Sequence, residues 1–121
     1  MKDEIKIIME NLSRIYFIAK ILHWNSIKNY ADHLLYDRIA GDCLDFVDKI
    51  AESCIFPFET INRLDLEIKD FDVESLKTYI VFIVNKIEKL CASDYISEGA
   101  KNTLSGIAEA LNIKAYLLKD K

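Results

Sequence analysis

The chain has 121 residues, the size of one ordinary domain and too short for two separate cores, so we expect residues 1–121 to form a single domain. Three glycines and one proline stand where average usage of roughly 7% and 5% would supply about fourteen, which excludes hairpin-rich β folds, collagen and flexible linkers. The net charge of −4, with no run of Lys or Arg, argues against nucleic acid as a partner. With 51% hydrophobic and 30% charged residues, the composition favours a folded all-α domain.

Apolar residues at helical spacing predict four helices. The first runs from Asp3, its expected N-cap, to about Asn25. Asn29 offers an N-cap for the second helix, which continues to about Ile55. Pro57 is expected to stop it, because the residue before a proline disfavours helical geometry.

The chain between residues 57 and 72 is predicted to be a connection, in which Thr60 is expected to cap a short helix through residues 61 and 64. A third helix is predicted over residues 72–92, capped by its first aspartate, and a fourth over residues 96–118. Four amphipathic helices with two short joints and one long connection between the second and third predict a four-helix bundle with a crossover.

Targeting and disulfide signals are missing from the sequence. The N-terminal stretch MKDEIKIIMENLSRIYF mixes charged with apolar residues, unlike a signal peptide, and no apolar run approaches the ~18 residues of a membrane span. Cys43, Cys54 and Cys91 include no Cys-x-x-Cys pair, so neither a disulfide framework nor a zinc ribbon is expected. We therefore expect a protein of the reducing cytoplasm.

Both histidines of the chain flank the joint between the first two helices. His23 lies near the end of the first helix and His33 in the first turns of the second. If the turn is centred near Ile27 or Lys28, both residues lie at a similar height in an antiparallel hairpin. Their rings are therefore expected to face one another.

Four potential metal ligands project from one side of the second helix. At ~100° per residue, His33, Asp37, Asp48 and Glu52 fall within a sector of about 100°. A separate apolar stripe on this helix is expected to face the core and consists of Ile39, Cys43, Phe46, Val47, Ile50 and Cys54. Mixed imidazole and carboxylate ligands suit iron, manganese or zinc, although a solvated acidic helix face would give a similar pattern.

The distance between two of these residues determines whether one chain can supply all the ligands of such a site. Asp37 and Asp48 are eleven residues apart, hence about 16 Å along the helix, too far to share a metal. Two copies of the second helix that cross antiparallel about a two-fold axis would solve this. They would bring His23, His33 and Asp37 of one subunit against the acidic pair of the other.

These residues resemble the ferroxidase motif of the Dps-like miniferritins, a family of the ferritin-like superfamily. That motif has a histidine in HWN, a second histidine, Asp four residues on, an acid eleven on and Glu four on. The matching residues here are His23, His33, Asp37, Asp48 and Glu52. The stretches DKIAE, PFETINRLDLEIKD and SEGAKNTLSGIAEALNIKAYLL are similar to the family's motif tail, long connection and last helix, so the resemblance covers essentially the whole chain.

The resemblance implies a ferritin-like four-helix bundle with a di-iron centre between subunits. His23, His33 and Asp37 from one subunit would bind iron together with Asp48 and Glu52 from a two-fold mate. Family members oxidise ferrous iron with hydrogen peroxide, or less efficiently with oxygen, and deposit ferric oxide inside a hollow dodecamer. The expected protein is thus a ferroxidase for iron storage and detoxification, a homo-oligomer from a two-fold dimer up to a dodecamer. Zinc or manganese could substitute for iron.

Some features depart from the family. The histidines are ten residues apart where the family usually has twelve, and the chain is shorter than usual. The basic tail that many relatives use on DNA is missing, so DNA binding is not expected. Compact variants also occur in phage genomes, so the expected compartment is the cytoplasm of a bacterium or of a phage host.

Two alternatives stay open. The shortened first joint motivates a ferritin-like oligomer without iron chemistry that acts as a protein-binding module. A small enzyme that uses the same carboxylates with zinc or manganese is a third hypothesis, but nothing in the sequence specifies an organic substrate for it.

Overall fold

The computed structural model describes residues 2–55 and 60–121, which contain four long helices. They are α1 (Lys2–Asn25), α2 (Tyr30–Ile50), α3 (Val73–Cys91) and α4 (Glu98–Leu117), and a π-helical turn (Ala51–Ile55) extends α2. The prediction of an all-α protein with four helices is confirmed for the described part of the chain, which has no strand. No helix within those ranges is both long and apolar enough to cross a membrane.

Three of the four helices begin at a side-chain cap. In each case the cap accepts a hydrogen bond from the backbone amide three residues further on, at 3.1 Å for Asn29, 2.8 Å for Asp72 and 3.1 Å for Ser97. Such caps satisfy amides that have no partner inside the helix. The predicted caps Asn29 and Asp72 are thereby confirmed.

Two predicted helix boundaries need correction. Asp3 does not cap α1, because the helix already includes Lys2, and Asp3 lies in its first turn instead. An acidic side chain there still stabilises the helix, since it faces the positive end of the helix dipole. The fourth helix, predicted to begin at about residue 96, begins instead after the Ser97 cap. Ile96, which precedes the cap, is buried. Pro57, the expected stop of the second helix, lies outside the described residues.

Contacts between the ends of the helices determine which helices run parallel. Lys121, which follows α4, pairs with Asp32 at the start of α2, and its carbonyl accepts a hydrogen bond from Lys77 near the start of α3 at 2.8 Å. The starts of α2 and α3 therefore lie at the same end, so these two helices run parallel. α1 packs against α2 and α3, and α4 packs against the same two, so α2 and α3 are diagonal. The connection between them must span the length of the four helices.

The core consists of one apolar stripe from each helix. On α2, the predicted stripe is confirmed, because Ile39, Cys43, Ile50 and Cys54 are buried, and Phe46 and Val47 pack against them half-buried. The largest fully buried side chains on the other helices are Ile5, Ile8, Leu12, Ile15, Ile18, Leu76, Ile80, Ile83, Ile87 and Leu104. Burial raises the pKa of the Cys43 thiol, which is therefore a neutral core side chain.

The connection does not contain the short helix predicted after Thr60. Residues 60–72 include no helical turn, and Ile61, Leu64 and Ile68 pack against the core with half-buried side chains. Polar backbone groups of this segment bind side chains of α1 instead of one another. Local helical spacing is overridden by these long-range contacts.

Arg14 of α1 binds the connection between α2 and α3. Its guanidinium donates hydrogen bonds to the backbone carbonyls of Asp65 and Glu67, each at 2.9 Å, and lies 3.3 Å from the Asp65 carboxylate. The buried Asn11 orients the guanidinium by accepting a hydrogen bond from it at 2.8 Å. Glu10 accepts a hydrogen bond from the backbone amide of Asp65. One turn of α1 therefore binds both carbonyl and amide groups of this segment.

We expect Arg14→Ala to loosen the connection and to lower the free energy of unfolding by about 1–3 kcal/mol, because two backbone carbonyls lose a charged donor. Limited proteolysis and amide exchange over residues 60–72 measure the local effect, and urea denaturation measures the global one. Lys69→Ala, which truncates an exposed lysine of the same segment, is the control. Equal protease resistance of the two variants would contradict the role of Arg14.

Candidate metal centre

His23 and His33 face each other across the joint between α1 and α2. Their ring centroids are 3.8 Å apart, and the ring planes differ by 23°, so the imidazoles are stacked. Nδ1 of His23 lies 2.8 Å from the carbonyl oxygen of His33, and Nδ1 of His33 lies 2.8 Å from the carbonyl oxygen of His23. The prediction that the two rings meet is confirmed.

The two reciprocal hydrogen bonds fix the tautomer of both rings. A carbonyl oxygen only accepts hydrogen bonds, so each Nδ1 must carry the proton. In the neutral form, which has one N–H, the other nitrogen, Nε2, then keeps its lone pair. A metal-binding histidine is commonly oriented in this way, with one nitrogen donating to a carbonyl and the other free to coordinate. The pair offers two nitrogen donors in a set orientation.

The short joint produces this geometry. The amide of Ser26 donates to the carbonyl of His23 at 3.2 Å, and the amide of Asn29 donates to the carbonyl of Ser26 at 3.1 Å. The Asn29 side chain then starts α2 at once. Because the turn is this tight, residues ten apart in sequence lie at the same level of the hairpin.

Asp37 lies about one turn beyond His33 and next to the other histidine. Its Oδ1 is 3.8 Å from Nε2 of His23 and 3.2 Å from Nζ of Lys20. The hydrogen bond from Lys20 lowers the pKa of the Asp37 carboxyl below its usual value, and the lysine charge acts in the same direction. With 49% of its side chain exposed, Asp37 is an ionised carboxylate on the surface beside the imidazole pair.

Asp48 and Glu52 lie on the other half of α2 and its π-helical extension. Both are exposed, and the helix rise places Asp48 about 16 Å from Asp37. Glu52 belongs to the π-helical turn, so its direction departs from the 100° spacing used to predict its face. The structure thus brings His23, His33 and Asp37 together within one chain, but neither of the two distant acids joins them.

No three His, Cys, Asp or Glu side chains within residues 2–55 and 60–121 of one chain form a group that could hold a metal ion. His23, His33 and Asp37 of one chain therefore do not make a metal-binding group by themselves. The pairing across a two-fold axis stays a prediction.

Three aromatic residues near the histidines in sequence differ in their exposure. Tyr36 is 4% exposed and belongs to the core, and burial raises the pKa of its hydroxyl. Trp24 and Tyr30, on either side of the joint, are 63% and 73% exposed. Tyr36 therefore contributes to packing, whereas Trp24 and Tyr30 present apolar surface to solvent.

Lys20 is the residue of this site that the sequence analysis missed. It precedes His23 by three residues, so both side chains lie on the same face of α1. The three-residue spacing between Lys20 and His23 is the sequence feature that could have pointed to this lysine. A search for metal ligands passes over it, because a lysine carries the same sign of charge as a metal ion.

The chain matches no protein-family model, no curated protein and no solved structure. A function for this chain is therefore inferred from the side chains described above and from their geometry.

We expect the neutral form of both imidazoles to be the Nδ1–H tautomer, because each Nδ1 donates to a carbonyl. Long-range ¹H–¹⁵N correlation spectra of metal-free protein distinguish a protonated Nδ1 from a protonated Nε2. Single variants His23→Gln and His33→Gln assign the two spin systems. An Nε2–H tautomer at either ring would contradict the reciprocal hydrogen bonds.

Proposed function

We propose that this chain is a ferritin-like bundle that binds ferrous iron at a di-iron site shared by two copies and oxidises it with hydrogen peroxide or oxygen. The observation that carries the proposal is the stacked histidine pair, with Nε2 of His23 3.8 Å from the ionised Asp37. The resulting activity would store iron and remove peroxide.

The proposed ligands divide between two subunits. His23, His33 and Asp37 come from one, and Asp48 and Glu52 of the partner subunit complete the set. Imidazole nitrogens together with carboxylate oxygens suit iron, and the anionic oxygens favour the ferric product over the ferrous substrate. With peroxide, two ferrous ions lose one electron each, the O–O bond breaks, and two protons are taken up to give two waters.

The topology supports the ferritin-like part of the proposal. Ferritin-like folds have four antiparallel helices and one long crossover between the second and third. In this chain α2 and α3 are parallel and diagonal, and residues 65–67 of the segment between them bind Arg14 of α1. Each neighbouring pair of helices is then antiparallel, as in such folds.

Lys20 gives the site a means of accepting a cation. Before iron binds, its ammonium group compensates the charge of Asp37 at 3.2 Å. A ferrous ion coordinated by Asp37 and the imidazoles would replace that ammonium group as the source of positive charge. Binding is then an exchange of one cation for another, which avoids leaving a bare carboxylate in the metal-free protein.

A second candidate is a ferritin-like oligomer that binds another protein without iron chemistry. It is favoured by the apolar side chains exposed around the first joint, Trp24 at 63%, Ile27 at 77% and Tyr30 at 73%. Clusters of exposed aromatic and aliphatic side chains commonly mark protein interfaces. If the iron-binding test below fails, protein binding becomes the better supported of the two functions.

We expect anaerobic titration of the metal-free protein with ferrous iron to show saturable binding, and a stoichiometric pulse of peroxide to give fast ferric absorbance. His33→Ala and Asp37→Asn should each weaken ferrous binding by at least about tenfold, since effects of this size follow even from losing indirect partners of a metal. Glu88→Gln, which removes an exposed carboxylate of α3, is the matched control. Equal binding by all variants, or no binding by the wild type, would overturn the proposal.

We expect Lys20→Met to bind ferrous iron more tightly than the wild type by about tenfold or less, because the metal no longer displaces an ammonium group from Asp37. Lys20→Arg retains the charge and should stay close to wild type. Isothermal titration under anaerobic conditions measures both. Weaker binding by Lys20→Met would show that the lysine assists the metal instead of competing with it.

A further inference from the structure

An open groove lies between α3 and α4, on the pair of helices that carries none of the proposed iron ligands. Its volume is about 550 Å³, within the range of about 300–1,000 Å³ that is typical of small-molecule sites. Ser105 and Ala108 of α4 line one wall, and Ile87 and Cys91 of α3 line the other. Because the two α4 side chains are small, they leave the space between the helices open.

Apolar side chains form most of the surface of this groove. Ile113 and Tyr116 extend the lining towards the end of α4, and they are 55% and 72% exposed. Tyr116 lies eleven residues beyond Ser105, which is about 16 Å along the helix. The groove therefore suits an elongated ligand with an apolar or aromatic body.

Two carboxylates stand on opposite walls of the groove. Glu88 belongs to α3 and Glu109 to α4, and both side chains are exposed. The Sγ atom of Cys91 lies 3.5 Å from Oγ of Ser105 and 3.8 Å from the carbonyl oxygen of Lys101, which sets these residues at one level of the antiparallel pair. Helix rise then places the two carboxylates within about one helical turn of the same height.

No lysine, arginine or histidine lines the groove among the residues that the structure describes. The two lysines of α4 have partners elsewhere. Lys101 pairs with Glu98 at 3.7 Å, and Lys114 pairs with Asp42 at 3.1 Å. Both groove carboxylates thus lack an ion-pair partner within the described part of the chain.

The remaining lysines near this pair of helices do not neutralise the groove carboxylates. Lys86 and Lys89 belong to α3 but not to the lining. The ammonium group of Lys119 lies 5.9 Å from the centre of the Tyr116 ring, at the far end of the groove. Ten residues, or about 15 Å of helix, separate this lysine from Glu109, so salt screens the interaction between them.

We propose that this groove binds a small amphiphile that has an apolar or aromatic body and one cationic amine. The body lies against Ile87, Ala108 and Ile113, and the ammonium group lies between the carboxylates of Glu88 and Glu109. The cation offsets the repulsion between the two like charges, which selects an amine over a neutral or anionic ligand of the same shape. This site is independent of the proposed iron chemistry.

The test uses dansylcadaverine, a naphthalene fluorophore with a primary amine on a flexible chain, and its N-acetylated form, which lacks the charge. Metal-free protein in chelator should enhance the fluorescence of the amine saturably. The acetylated probe should bind about three- to tenfold more weakly, because exposed ion pairs contribute modestly. Glu88→Gln/Glu109→Gln should weaken binding of the amine by the same factor and leave binding of the acetylated probe unchanged.

Two further measurements locate the bound probe. Asn112→Trp puts an indole into the groove and should weaken binding of both probes at least about tenfold. Asn85→Trp, at an exposed position of α3 outside the lining, is the matched control. Cys43 and Cys54 are buried and Cys91 is not, so alkylation by iodoacetamide reports on Cys91 and should slow when the amine binds.

Equal affinity of the two probes, or wild-type affinity of the amine for Asn112→Trp, would overturn the proposal. Unchanged alkylation of Cys91 at saturating amine would also overturn it, because the probe would then lie elsewhere. If a second copy of the chain covers the groove instead, binding of the amine should fall as the protein concentration rises, and this result would likewise contradict a small-molecule site. Circular dichroism checks that each variant keeps its helix content.

Discussion

Two reciprocal hydrogen bonds between His23 and His33 set the geometry on which the candidate site depends. Each imidazole donates to the backbone carbonyl of the other residue, so α1 and α2 are held at one relative height. The same bonds place a proton on each Nδ1. The same two protons thus fix both the contact between the helices and the tautomer of the rings, and the tight turn after Asn25 brings the two residues together.

Helix rise is the second constraint. An α-helix advances about 1.5 Å per residue, so ligands on opposite halves of α2 cannot reach one ion within a single chain. The proposed solution uses symmetry, because a two-fold axis near the helix centre lays the imidazole half of one subunit over the acidic half of another. In that proposal, function and self-association are properties of the same helix face.

Several parts of this structure could be predicted from the sequence because they depend on neighbours along the chain. Helical periodicity gave the four helices, the Asn29 and Asp72 side chains marked two of their starts, and the position of the turn predicted the meeting of the histidines. Prediction failed where distant groups decide the outcome. The segment after Thr60 has helical spacing, but Arg14 binds its carbonyls from α1. Likewise the pairing of Lys20 with Asp37 joins two helices, and the π-helical turn that carries Glu52 breaks the regular spacing assumed for its face.

The central claim is that one iron site takes its ligands from two chains, and subunit complementation tests it most directly. His33→Ala and Glu52→Gln should each abolish fast peroxide-driven iron oxidation when purified alone. Unfolded and refolded together in equal amounts, they form mixed dimers in which one of the two sites has every ligand intact. The account predicts recovery of about a quarter of the wild-type activity, since half of the dimers are mixed and half of their sites are complete. No recovery in a mixture that demonstrably exchanges subunits would contradict a shared site.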